Sequence, residues 1–171
     1  MNREEILELL NCLNRKLKIK NLTAELFILG GSALTLCYNC NRITKDIDAL
    51  FVPKEELYPL IAEVAEEKGL ADDWLNDSVK GFADNLDCEF FDSFSNLKIY
   101  VGSAEYLLAM KCLSCRLDSS KDKDDIKFLI NYLHLNDPEE VYKILLRYFP
   151  ENYFDIKTQL LIEELFSNSN L

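Results

Sequence analysis

Apolar residues recur at helical spacing from the start of the chain. Ile6, Leu9, Leu10, Leu13 and Leu17 fall on one stripe and predict an amphipathic helix over residues 3–17. The period then changes. "ELFILG" is a short apolar run broken by Gly30-Gly31, the mark of a buried strand, and Ser32 is placed to cap a helix over "ALTLCYN". "CNRITK" reads as a polar loop, and "DIDALFV" as a second strand stopped by Pro53. "KEELYPLIAEVAEEKG" predicts a helix ending at Gly69, with Pro59 inside it as a candidate kink. "ADDWLNDSVKGF" predicts a short helix, and "CEFF" and "LKIYVG" predict strands. From Ser103 onward the pattern is helical. A capped "AEYLLAMKCLSCRL" leads through the charged turn "SSKDKDD" to "IKFLINYLHL". Asp137-Pro138 then opens "EEVYKILLRYF", and "TQLLIEELF" follows Pro150. This order predicts an α/β (α+β) fold, with an α/β lobe over residues 1–102 and a helical lobe over 103–171 packed on it as one compact unit.

Composition narrows the class. The chain has 171 residues, long enough to bury a sizeable core, and its 49% hydrophobic and 29% charged residues are a globular mixture. No apolar run approaches the roughly 20 residues of a membrane span. "MNREEILELL" is acidic from the start, unlike a secretory leader. The expectation is a soluble cytoplasmic protein with no membrane partner. The net charge of −11 argues against a general nucleic-acid coat protein. It is unevenly spread: residues 1–50 hold seven Lys/Arg and six Asp/Glu, residues 51–171 twelve and twenty-four. The basic cluster "RKLKIK" reads as a solvated helix end, with a phosphate-steering patch as the other reading.

Cys37-x-x-Cys40 and Cys112-x-x-Cys115 have the spacing of paired zinc ligands. Cys112 and Cys115 also fall within a helical pattern, where free cysteine packs as a small apolar residue. A single histidine, His134, excludes multi-histidine metal sites and leaves little room for a histidine-based triad. Its place near a helix end is explained by the macrodipole.

The chemistry concentrates between Glu25 and Val52. A Gly-Gly-Ser turn between strand and helix presents backbone N–H groups at a helix N-terminus, a ready anion site, and glycine lets the backbone approach a phosphate closely. Asp46 and Asp48 straddle Ile47, so strand alternation puts both carboxylates on one face and the isoleucine in the core. Such a pair repels itself and calls for a cation between its members. Mg²⁺ suits, being a hard ion that takes oxygen ligands and bridges nucleotide phosphates.

"GGS…TKDIDALF" resembles the glycine-turn and D-x-D signature of the polymerase-β-like nucleotidyltransferase superfamily. "DDWLNDSVKGF", "VGSAEYLLAMKCLSCR", "KDKDDIKFLI" and "RYFP" are similar to a compact bacterial branch related to AbiEii-type abortive-infection toxins, and this resemblance covers nearly the whole chain. It implies a small mixed sheet of the nucleotidyltransferase type, a nucleoside triphosphate as co-substrate, and Mg²⁺ held by Asp46 and Asp48. It also implies that Gly30, Gly31 and Ser32 bind phosphate, and that Lys111 and Asp125 contribute to catalysis. Read without the resemblance, Lys111 is a snorkelling lysine and Asp125 a helix-start charge. Many superfamily members carry a third carboxylate on a later strand. The candidates here are Asp87, Glu89 and Asp92, with Glu89 favoured by alternation as a metal ligand. Asn76 and Asp77 read as helix or turn polar groups, with a site role open that the sequence does not assign, and Trp74 as a packing anchor.

The reading is nucleotidyl transfer to an acceptor hydroxyl on tRNA, a protein or a small molecule such as an antibiotic, within a toxin–antitoxin or phage-defence system that would supply an antitoxin partner. The alternative is a catalytically weak or inactive protein of the same fold that acts by binding a partner.

Overall fold

The computed structural model describes residues 1–38, 42–115 and 120–167. The chain divides into two compact units, Met1–Asp84 with Cys88–Gly102, and Asn85–Asp87 with Ser103–Leu171.

The first unit opens with helix α1, Arg3–Ile19. Asn2 accepts the Glu5 N–H and the Glu5 side chain accepts the Asn2 N–H, a reciprocal cap that fixes the helix start. Strand β1, Ala24–Ile28, helix α2, Gly30–Cys37, strand β2, Ile47–Val52, and helix α3, Lys54–Lys68, follow. α3 runs through Pro59 without interruption. It ends at Gly69, whose φ of 65° lets the chain turn left-handed and return its N–H to Ala65 and Glu66.

The segment expected as a short helix, "ADDWLNDSVKGF", is instead a turn, a two-residue strand and then 3₁₀. Leu75–Asn76 form strand β3, parallel to β2, and Ser78–Asn85 coil into 3₁₀ turns. The cause is local: Trp74 is buried, its indole N–H donates to the Ile61 carbonyl at 3.0 Å, and its own carbonyl accepts from Ile47 N–H at 2.7 Å. That anchoring draws the chain onto the β2 edge. Strands β4, Cys88–Ser93, and β5, Leu97–Gly102, complete a mixed five-stranded sheet of order β3-β2-β1-β5-β4. β1 pairs antiparallel with β2 and parallel with β5.

One sheet face is the core of this unit. Leu26, Ile28, Ile47, Ala49, Phe51, Ile99 and Val101 lie on it and are buried. The alternate residues Phe27, Leu50 and Tyr100 lie on the other face and are half-exposed.

Among the described residues the second unit holds four α-helices: α4, Ala104–Ser114; α5, Ser120–Tyr132; α6, Pro138–Tyr148; and α7, Ile156–Ser167. Ser103 and Asp137 cap α4 and α6 by accepting N–H groups from Tyr106 and Glu140. Arg116 and Leu117, expected to continue α4, lie outside the described residues. "SKDKDD", expected as a turn, is the first part of α5, since two of its acidic residues find a partly buried cation on α4. His134 lies just beyond α5 at φ 55°, a conformation that histidine tolerates better than most residues, and its backbone closes that helix. Among the described residues no helix is long and apolar enough to cross a membrane.

Candidate active site

β1 and β2 run antiparallel with Ile28 opposite Ala49. The next pair is Leu29 and Asp48, joined by Leu29 N–H to Asp48 C=O at 2.8 Å. This register places the Asp48 side chain beside the residue that follows Leu29, which is Gly30. Gly30 has φ 60°, and a Cβ there would stand 2.9 Å from Asp48 Oδ2. Glycine is thus required twice, for the left-handed backbone and for the close approach. Gly31 meets a different neighbour: its Cβ would lie 3.0 Å from Arg42 Nη2 and 3.3 Å from Thr44 Oγ1.

α2 begins at Gly30, so Ser32 is not its cap. Ser32 sits inside the first turn, fully buried, and its hydroxyl donates to Leu29 C=O at 3.0 Å. Thr35 does the same to Gly31 at 3.0 Å. The expected phosphate contact from the Ser32 hydroxyl is therefore committed to a backbone carbonyl. What the turn offers is the leading N–H groups of α2, which have no intrahelical acceptor.

Asp48 is half-buried. Its Oδ1 accepts the Ser78 hydroxyl proton at 2.8 Å, and Ser78 N–H donates to Asn76 Oδ1 at 3.0 Å. Asn76 itself pairs with Asp48 in the β2–β3 register. Asp46 lies in the bend just before β2, half-exposed, with its carbonyl accepting Thr44 Oγ1–H at 3.1 Å. Nearby, Asp77 bonds Lys54 at 2.9 Å. That hydrogen bond holds the Asp77 carboxyl below its ordinary range and raises the lysine.

The sheet register gives the faces on which the candidate third acids lie. Glu89 pairs with Val101, which pairs with Ile28 and so with Ala49. All four side chains share one face, and Asp48 alternates with Ala49 onto the other. Alternation within "CEFF" could not foresee this, because it fixes faces within a strand and not between strands. Asp92 pairs with Ile99, again on the Ala49 face, after a register shift between Phe90 and Asp92. Asp87 belongs to the second unit, where it accepts Ser103 Oγ–H at 2.7 Å and Tyr148 O–H at 2.6 Å. Among the described residues no three His, Cys, Asp or Glu side chains gather as a metal site.

Lys111 and Asp125 are brought together in the second unit. Lys111 Nζ lies 2.9 Å from Asp125 and 3.3 Å from Asp122, with Asp125 nearly sealed from solvent. Cys112 is buried in α4, burial pushing its thiol well up, which suits a packing role. Cys40 lies outside the described residues.

The donor set fits a hard divalent cation. Both acids offer carboxylate oxygen, one of them faces a cradle that any Cβ would fill, and the N-terminus of α2 stands beside it for a phosphate. Sequence reasoning passed over Arg42, Thr44 and Ser78. Ser78 lies two residues beyond Asn76, but that spacing signals nothing until Asn76 is known to pair with Asp48.

In comparisons with known proteins, no curated protein matches. A solved structure, that of the antibiotic-resistance factor ANT(2'')-Ia in solution, superimposes with a TM-score of 0.53 at 14% identity. The match covers 85% of this chain and 92% of that one. At that identity the likeness establishes the fold, a mixed α/β sheet with a helical half. Residues 4–149 match the family described as "Nucleotidyltransferase of unknown function (DUF6036)". A match over that span, carrying the Gly30 turn and both aspartates, makes the chain a member of that nucleotidyltransferase family.

Proposed function

We propose that the chain transfers a nucleotidyl group from a nucleoside triphosphate to an acceptor hydroxyl, with Asp46 and Asp48 holding Mg²⁺. The observation that carries this reading is the Asp48 carboxylate packed against a left-handed Gly30 at the start of a helix. Phosphate oxygens would meet the α2 N–H groups, and the acceptor hydroxyl oxygen would bond to the α-phosphorus and lose its proton to solvent as the bond between α-phosphorus and the bridging oxygen breaks and pyrophosphate leaves. Mg²⁺ bound there would supply positive charge to the triphosphate. Catalysis in this scheme is positioning and electrostatics. Lys111, paired with Asp125 in the second unit, enters this reading through the family resemblance alone.

The acceptor is tRNA or a protein, and the setting toxin–antitoxin or phage defence, on the strength of the AbiEii-type resemblance. A small-molecule acceptor is supported by the fold shared with an antibiotic-resistance factor. The second reading, a weakly catalytic binding protein, is favoured by one observation: the candidate third acids on β4 stand on the sheet face away from Asp48.

The test is incorporation of label from each α-³²P nucleoside triphosphate, with Mg²⁺, into total tRNA, total protein, a panel of small hydroxylated compounds and the chain itself. The Asp46→Ala/Asp48→Ala variant runs alongside. Label present with the native chain and absent with the variant establishes transfer and names the acceptor class. A folded native chain that labels none of these overturns the proposal in favour of the binding protein.

A further inference from the structure

Ser78 is bonded directly to the Asp48 carboxylate. Its Oγ donates to Asp48 Oδ1 at 2.8 Å, while Asp48 Oδ2 faces Gly30. The carboxylate is therefore held by a hydrogen bond on one oxygen, while the other lies where a side chain on residue 30 would stand. Ser78 is itself held: its N–H donates to Asn76 Oδ1 at 3.0 Å, and Asn76 Nδ2 donates to the Asp73 carbonyl at 3.2 Å. Asn76 is the register partner of Asp48 across the β2–β3 ladder, so the whole "NDS" segment is built onto the carboxylate. Ser78 is exposed, and no packing requirement explains a hydroxyl there. Meanwhile Glu89 and Asp92 pair onto the opposite sheet face, and Asp87 is bonded by Ser103 and Tyr148.

We propose that Ser78 is the positioning residue for Asp48 and occupies the place of a third acidic ligand on that face, giving the metal site a neutral oxygen instead of a third charge. The inference rests on the reading of Asp46 and Asp48 as metal-holding residues. Two consequences follow from ligand chemistry. A hydroxyl donating to one carboxylate oxygen fixes which oxygen remains for the metal, and losing such a partner typically weakens metal binding by about 10-fold or more. A site with two negative charges holds a divalent cation less tightly than one with three.

The experiment is titration of the full chain with Mn²⁺, followed by the metal's paramagnetic signal and without nucleotide, for the native chain and for Ser78→Ala, Ser78→Thr, Ser78→Asp and Asp48→Ala. Thermal unfolding of each variant runs beside it; Ser78 is exposed, so the melting temperatures should stay close. The expected result is loss of binding in Asp48→Ala, about 10-fold weaker binding in Ser78→Ala, recovery in Ser78→Thr, and tighter binding in Ser78→Asp. Ser78→Ala binding Mn²⁺ as the native chain does overturns the positioning role. Ser78→Asp failing to tighten binding overturns the third-ligand place. A native chain that binds no Mn²⁺, or an Asp48→Ala variant that still binds it, overturns the metal reading of the Asp46–Asp48 site itself, and the Ser78 inference with it.

Discussion

The two adjacent glycines differ in what they tolerate, because they face different neighbours. A Cβ at Gly30 would collide with a carboxylate held from its other side by Ser78, and would force an L-residue into left-handed backbone. Gly30→Ala should cost ~1–2 kcal/mol of stability and abolish metal binding, checked by denaturant unfolding and Mn²⁺ titration. A Cβ at Gly31 would instead meet the Arg42 guanidinium at 3.0 Å and Thr44 Oγ1 at 3.3 Å, contacts that a shift of a few tenths of an ångström relieves. Gly31→Ala should keep its melting temperature within a few degrees of the native chain.

Asp77 gives a pH signature at the same scale. Its folded carboxyl is held down mainly by the hydrogen bond to Lys54. A depressed folded pKa contributes stability above the unfolded pKa, and that contribution is lost as pH falls through the folded value. The stability difference between the native chain and Asp77→Asn should therefore be present at pH 7 and shrink steadily below the ordinary carboxylate range. Urea midpoints across pH 2–7 would show it, and the difference should be small, because the pair is open to solvent.

At the level of elements, the contact between α4 and α5 is made partly by charge. Removing Lys111 leaves Asp125 buried beside Asp122 with no lysine between them, so Lys111→Met should destabilise by about 3 kcal/mol. Adding Asp125→Leu should restore most of that loss. If the double variant folds as well as the native chain yet transfers no label, the role of the Lys111–Asp125 pair is chemical and not only structural.

The same helix shows what a linear pattern can and cannot convey. α1, α4 and α6 were legible because each has an apolar stripe and a side-chain cap at its start. The start of α5 was not, because "SKDKDD" has no apolar stripe of its own and is helical through a lysine on another element. β3 was hidden for a related reason: two residues carry no periodicity, and they are a strand only because Trp74 docks under α3. In the candidate site, Gly30, Asp46 and Asp48 were visible through local order along the chain. Ser78, Arg42 and the sheet face of Glu89 depend on inter-strand register, which alternation alone does not supply.

For the whole molecule, charge decides which acceptors are approachable. The excess of acid over base lies beyond residue 50, so a polyanion is repelled over most of the sequence. Within the basic cluster, Lys16 is engaged by Glu63 and Glu67, and Glu67 holds its ammonium charged to higher pH, whereas Lys18 and Lys20 are exposed. If tRNA is the acceptor, Lys18→Glu/Lys20→Glu should reduce labelling of tRNA at least several-fold and leave the salt dependence shallower. Labelling of a protein or small-molecule acceptor should be unaffected.

Trp74 is the only tryptophan of the chain, it is shielded from water, and its carbonyl is bonded to the residue between the two aspartates. The molecule therefore carries a single tryptophan, which red-edge excitation selects over its eight tyrosines, at the root of its candidate catalytic edge. Native emission should be blue-shifted, with weak quenching by iodide. Any ligand that shifts β2 against β3 should change its intensity without a dye or tag, so nucleotide and metal occupancy would be readable optically in the unmodified chain.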